Sequence, residues 1–145
     1  MNHHEPRPRR PAVVLGLLAA VLLLCGCASD RQASQLESTV SAYGATLRWG
    51  DFESALAFVD PKVLAKHPMT RFDMARYAQV RVSTYDTQGV LPSPPGEFRQ
   101  IVAIGLINRN TQVERGIIDH QTWRYDAKAQ KWWLESGLPN ITQGE

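Results

Sequence analysis

The stretch FRQIVAIGLIN, residues 98–108, decides the fold of this chain. Its middle, residues 101–107, is apolar throughout, so a strand formed here carries apolar side chains on both of its faces. Three prolines precede it in residues 89–96, which are predicted to form a loop because proline cannot donate to a sheet ladder. We therefore expect a long strand that is covered on both sides.

Further strands are predicted on either side of this stretch. Residues 76–86 alternate between apolar and polar side chains, which is typical of a half-buried strand. Residues 113–125 form the next predicted strand, and residues 131–135 return after a hairpin loop at residues 126–130. Together these segments predict a sheet of about four long antiparallel strands.

Apolar residues recur at helical spacing before the strands. They are separated by four, three and four positions, and they are Leu36, Val40, Tyr43 and Leu47. Trp49 is predicted to end this helix. Asp51 is placed to N-cap a second, short helix, and Asp60 with Pro61 begins a third. The predicted fold class is α+β, with N-terminal helices packed on one face of a curved antiparallel sheet.

This order of elements resembles the NTF2-like (SnoaL-like) superfamily of cone-shaped domains. The resemblance is carried by the long helix, by Trp49-Gly50-Asp51-Phe52 before a short helix, and by strands ending in Trp123-Arg124-Tyr125-Asp126 and Trp132-Trp133-Leu134. It covers residues 35–139. It implies a pocket between sheet and helices, pairing of domains through their sheets, and in some members an isomerase or cyclase activity with an aspartate as general base.

Two aspartates are candidates for such a base. Strand alternation places four residues on one face of the strand at residues 113–125: Asp119, Gln121, Trp123 and Tyr125. Asp86 lies on another strand. A carboxylate buried against Trp123 would have a raised pKa suited to proton abstraction. The interpretation adopted from the sequence is that Asp119 and Gln121 lie on a solvated face, so that no catalytic residue is assigned and the domain is not expected to be an enzyme.

Four aromatic residues are candidate ligand-binding residues for a small apolar ligand: Tyr43, Trp49, Tyr77 and Trp123. The alternative is that they form plain core, which is more common for aromatics at helical and strand spacing. Trp132 and Trp133 must face opposite sides of their strand, so one of them emerges on the outer face of the sheet. An apolar outer face predicts a cover, either a second copy of the chain or an envelope protein partner.

Composition excludes several classes of function. The only cysteines are Cys25 and Cys27, and His67 and His120 lack metal-ligand spacing, so no metal site or cofactor is predicted. The chain has 16 Lys and Arg against 14 Asp and Glu, and removal of residues 1–26 leaves 13 of each. A neutral domain without clustered basic residues does not indicate nucleic-acid binding.

The N-terminus predicts export and lipidation. Residues 1–26 form a signal peptide with a basic start and an apolar run, which is too short to be a comfortable membrane span. Leu24-Cys25-Gly26-Cys27 resembles the lipobox of bacterial lipoproteins, in which the cysteine is lipidated and becomes the mature N-terminus. The alternatives are an ordinary signal peptide cut near Ala28, twin-arginine export, and a retained membrane anchor.

The predicted organisation follows from this cleavage. After the signal come a tether at residues 27–34, the NTF2-like domain at residues 35–139 and a flexible tail at residues 140–145. Ala28 directly after the cysteine, in place of aspartate, resembles the sorting pattern of outer-membrane lipoproteins. The sequence thus predicts a periplasmic, non-enzymatic binding or scaffold module held at the outer membrane by its lipid, with inner-membrane retention left open.

Overall fold

The computed structural model describes the backbone of residues 10–143 and the side chains of residues 28–143. The predicted signal segment, residues 1–26, and the lipidation residue Cys27 lie outside the residues whose side chains are described. The chain divides into two units, Met1–Leu36 and Glu37–Glu145, and the second is the folded domain. Among the described residues, no helix is long and apolar enough to cross a membrane.

Helix α1 spans Arg10–Trp49 and ends at the residue that the sequence predicts. The N–H of Gly50 donates to the carbonyl of Thr46 at 2.9 Å, which closes the last turn. Residues 28–34, predicted to be a tether, are helical, although their small polar composition favours an irregular segment. Their role as a tether stays a prediction.

Three short helices follow: α2 (Phe52–Ala55), α3 (Pro61–Lys66) and α4 (Arg71–Tyr77). Asp51 Oδ1 accepts a hydrogen bond from the N–H of Ser54 at 2.6 Å, and this caps α2. Asp60 Oδ1 accepts from the N–H of Lys62 at 2.7 Å, with Pro61 at the first position of α3. Both predicted N-caps are confirmed.

Four strands form one antiparallel sheet in the order β1-β2-β3-β4: β1 (Val80–Leu91), β2 (Glu97–Asn108), β3 (Glu114–Asp126) and β4 (Lys131–Leu134). The α+β class and the four-stranded antiparallel sheet are confirmed. All described helices precede β1, but they extend to Tyr77, past the middle of the chain, so they are not confined to the N-terminus.

The first strand begins later and ends later than its alternation predicts. Residues 76–79 were predicted to be extended, but Arg76 and Tyr77 belong to α4, a helix that a reciprocal capping box of Thr70 and Asp73 stabilises at its start. Residues 89–91 were predicted to be loop, but they pair with β2. Two register shifts in β1 interrupt the alternation of apolar and polar side chains from which the ends of this strand were predicted.

The core lies between the inner face of the sheet and the helices. Tyr43 of α1 and Trp123 of β3 are fully buried, and their rings meet edge to face with centroids 5.3 Å apart. The ring of Phe58 packs edge-on against Tyr43 at 5.5 Å. The other buried apolar side chains include Leu47, Phe52, Val102, Ile104, Leu106 and Leu134.

The two adjacent tryptophans of β4 face opposite sides of the sheet, as predicted. Trp132 is buried and lies 5.4 Å from the ring of Tyr125. Trp133 is half-buried, and the ammonium of Lys131 lies 3.8 Å from its ring centroid on the same face.

The predicted flexible tail is packed over its described part. Ile141 is buried, and the guanidinium of Arg115 donates to the carbonyls of Ile141 and Gln143. Gln143 Oε1 accepts from the N–H of Ile118 at 2.8 Å, on the edge of β3 that β4 is too short to cover. Residues 140–143 are therefore ordered by hydrogen bonds to the part of this β3 edge that has no neighbouring strand. The sequence does not reveal that this edge is open.

Candidate functional site

Asp119 lies on the inner face of the sheet, and the prediction of a solvated face was wrong. Only 8% of its surface is exposed, and Gln121 is 1% exposed. Residues 117, 119, 121 and 123 of β3 are all buried, so the alternation of the strand carries the two polar side chains inward with Ile117 and Trp123. Sequence reasoning misjudged these residues because it assumed that polar residues mark the outer face.

The side-chain amide of Gln121 is the centre of a buried hydrogen-bond network. Its Nε2 donates to Asp119 Oδ2 at 2.8 Å and to the hydroxyl of Tyr85 at 3.0 Å. Its Oε1 accepts from Gln100 Nε2 at 2.8 Å and from Trp123 Nε1 at 3.3 Å. Every polar atom of this amide is engaged, so the network is well satisfied around Gln121.

Burial raises the pKa of Asp119, while the hydrogen bond from Gln121 and the charge of His120 oppose that rise. Burial and the nearby Asp119 carboxylate raise the pKa of Tyr77 to about 12 and that of Tyr43 well above its usual value. The Tyr43 hydroxyl is buried and has no hydrogen-bond partner among the described residues. A carboxylate that holds its proton more tightly, beside neutral tyrosines, is a possible acid–base group.

The clefts described here do not reach this carboxylate. None of the four has Asp119 in its lining. The second candidate base, Asp86, is exposed on β1. His67 and His120 are also exposed, and among the described residues no three His, Cys, Asp or Glu side chains are grouped as metal ligands.

The structure does not bring the four predicted ligand-binding aromatics together. Tyr43 and Trp123 are in mutual core contact, whereas Trp49 is 80% exposed, with the guanidinium of Arg48 5.2 Å from its ring. Tyr77 stacks on Phe52 at 4.7 Å and donates its hydroxyl proton to the carbonyl of Pro139 at 2.9 Å. Of the four predicted residues, only Tyr77 lines a described cleft.

That cleft is a candidate binding site, and we name it the arginine cleft after Arg48, Arg81 and Arg109 in its lining. It has a volume of about 310 Å³, within the usual range for small-molecule sites. Its floor is formed by buried apolar side chains, which include Leu47, Phe52, Val80 and Val82. Its acidic residues, Asp51 and Glu53, both belong to the start of α2.

Sequence reasoning missed the arginine cleft because its charged residues are far apart in the chain. Arg48 lies in the last turn of α1, Arg81 in β1, and Arg109 just after β2. The pairing of Val80 with Asn108 brings Arg81 and Arg109 to the same end of the sheet. No local motif signals this convergence, which depends on the register of the β1–β2 hairpin.

The outer face of the sheet carries a second, shallow groove of about 660 Å³. Gly105 and Gly116 pair directly across β2 and β3 in its floor, and Ala103 and Ile118 flank them. Ile118 is 45% exposed. The apolar outer face predicted from residues 101–107 is therefore present as a partly exposed surface.

Comparison of the chain with models of protein families, with curated proteins and with solved structures returns no significant match.

Proposed function

We propose that this protein is a lipid-anchored lipoprotein of the bacterial envelope whose NTF2-like α+β domain is a non-enzymatic binding module. The anchor is argued from the sequence Leu24-Cys25-Gly26-Cys27, with Cys27 as the lipidated residue on the periplasmic face of the outer membrane. Acyl chains contribute roughly 0.8 kcal/mol for each buried methylene group, so two or more of them hold a domain stably at a bilayer.

One observation carries the binding role: the arginine cleft combines a floor of buried apolar side chains with three arginines in its lining, and that lining does not include the buried carboxylate of Asp119. A cleft that opens to solvent and presents several guanidinium groups is suited to holding a ligand. Asp119, in contrast, is held by Gln121 in a closed core.

The first experiment is the intact mass of the membrane-extracted protein beside a Cys27→Ala variant. The native protein is expected to weigh residues 27–145 plus diacylglyceryl and acyl groups, and the variant is expected to lack them. Identical processing and release of the two proteins would refute the anchor. Co-purification of a small molecule or protein in mild detergent supports the binding role, and turnover of a substrate would refute it.

A second candidate function is favoured by the raised pKa of Asp119 beside Tyr43 and Tyr77. In this alternative Asp119 is the general base of an isomerase or cyclase, and opening of the core admits the substrate. The test is conversion of a β,γ-unsaturated ketone to its conjugated isomer by the wild-type protein and by Asp119→Asn. Activity lost in the variant would support this alternative, and no activity in either protein would count against it.

We also propose that the outer sheet face contacts a second copy of the chain. Its exposed Ile118 and the open space above Gly116 form a surface that a second copy could cover. An envelope protein at the same face is the alternative, and the mass of the complex in solution distinguishes the two.

A further inference from the structure

We propose that the arginine cleft binds an amphipathic anion, a soluble small molecule with an apolar body and one carboxylate or phosphate group. This inference rests on the binding-module function proposed above and names the ligand class of that module.

The anion is indicated by the balance of charge around the cleft. Arg81 and Arg109 are exposed, and neither forms an ion pair among the described residues. Arg109 Nε donates to the carbonyl of Val80 at 3.3 Å, which holds the side chain at the cleft and leaves its terminal nitrogens without a partner in the described part of the chain. Arg81 alternates with the buried Val80 and Val82, so Arg109 is the guanidinium with free donors that is held at the cleft floor. Its terminal N–H groups match the oxygens of one carboxylate or phosphate.

The acidic residues of the cleft do not cancel this charge. Asp51 already accepts the N–H of Ser54, and this hydrogen bond lowers the pKa of its carboxyl. The Asp51 carboxylate therefore stays ionised, and with Glu53 it sets two negative charges against the three arginines of the lining. The lining keeps a net positive charge.

The apolar body of the ligand is indicated by the floor. Phe52, Val80 and Val82 are each less than 8% exposed and form an apolar part of the lining. Their side chains offer no charge or hydrogen bond to a purely ionic ligand. Met74 and Tyr77 of α4 complete this part of the lining, and methionine adapts its shape to the group it contacts. A ligand that combines an apolar body with one anionic head satisfies both the floor and the arginines.

The test uses three probes with the same apolar body and different heads: phenylbutyrate, phenylbutanol and phenylbutylamine. Binding is measured by equilibrium dialysis against the protein with its native N-terminus in lipid nanodiscs, with empty nanodiscs as the blank. Phenylbutyrate is expected to bind about tenfold more tightly than either of the other two probes, because only its carboxylate accepts a charge-assisted hydrogen bond from an arginine.

Two pairs of variants locate the site. Arg109→Gln is expected to weaken phenylbutyrate binding about tenfold, and Arg71→Gln, at an exposed arginine of α4 outside all four clefts, is expected to leave it unchanged. Ala78→Trp, at the residue directly after α4, fills the cleft and should abolish binding, whereas Ala75→Trp, in α4 and outside the cleft lining, should not. Arg109 and Ala78 are exposed, so both variants are expected to fold.

Equal binding of the three probes, or an unchanged affinity in Arg109→Gln and Ala78→Trp, would overturn the anion inference. The binding-module proposal would then stand or fall separately on its co-purification test. Failure of every probe together with the absence of any co-purified molecule would overturn both.

Discussion

Replacement of Gln121 by leucine is expected to destabilise the domain strongly, because one amide serves four buried neighbours. The substitution leaves Gln100 Nε2 and Trp123 Nε1 without an acceptor and removes the hydrogen bond to Asp119 Oδ2. An unsatisfied buried polar group costs about 1–3 kcal/mol, so Gln121→Leu should lower the free energy of unfolding by about 3–5 kcal/mol. This is a large share of the stability of a small domain.

The assay is urea unfolding at neutral pH, followed by tryptophan fluorescence, since Trp123 lies in the network. Gln88→Leu is the matched control because Gln88 is exposed on β1 and donates only a long hydrogen bond, 3.3 Å, to the carbonyl of Asp86. The control is expected to change the free energy of unfolding by about 0.5 kcal/mol or less. A Gln121→Leu effect no larger than that of the control would refute the network as a determinant of stability.

Three further predictions concern other parts of the domain. Burial raises the pKa of the Asp119 carboxyl in the folded protein above its pKa in the unfolded chain. The free energy of unfolding of the wild-type protein therefore falls as the pH rises from the lower of these pKa values through the higher. Asp119→Asn has no ionisable carboxyl at this position, so its stability should not fall in this way. Its midpoint of urea unfolding should be higher than that of the wild-type protein at neutral pH, and the difference should vanish in acid. Ile118→Lys should shift a sedimenting dimer to monomer without loss of stability, and an unchanged sedimentation coefficient would exclude that interface. A Cβ on Gly44 would lie 2.9 Å from the ring of Tyr85, so Gly44→Val should cost about 2 kcal/mol in thermal unfolding. Gly89→Val, with open space around its Cβ, is the control, and equal melting temperatures would contradict the packing.

Local chemistry explains the parts of the fold that could be predicted. The caps at Asp51 and Asp60 need only a short side chain followed by free backbone N–H groups, and both lie within three residues of their partners. The strand at residues 98–108 follows from a short, continuous apolar run bounded by a proline-rich loop and a turn. The opposite directions of Trp132 and Trp133 follow from a side-chain period of two. Boundaries failed where longer-range geometry intervened, as in the register shifts that displace β1.

The candidate site was much less predictable. The alternation of β3 correctly grouped Asp119, Gln121 and Trp123 on one face, but it could not say that this face is the buried one. Burial of polar residues depends on partners such as Gln100 and Tyr85, which lie on other strands and satisfy them only after the sheet has formed. A prediction from one strand therefore places polar residues in water by default.

The sequence by itself determined the α+β class, the helix caps, the long strands and the hypothesis of an N-terminal lipid anchor, because each depends on the spacing of residues close in the chain. Only the tertiary structure decided that Asp119 is buried, that residues 140–143 close a sheet edge, and that Arg48, Arg81 and Arg109 share a cleft. These features depend on strand register and on contacts between distant segments, which no local pattern encodes.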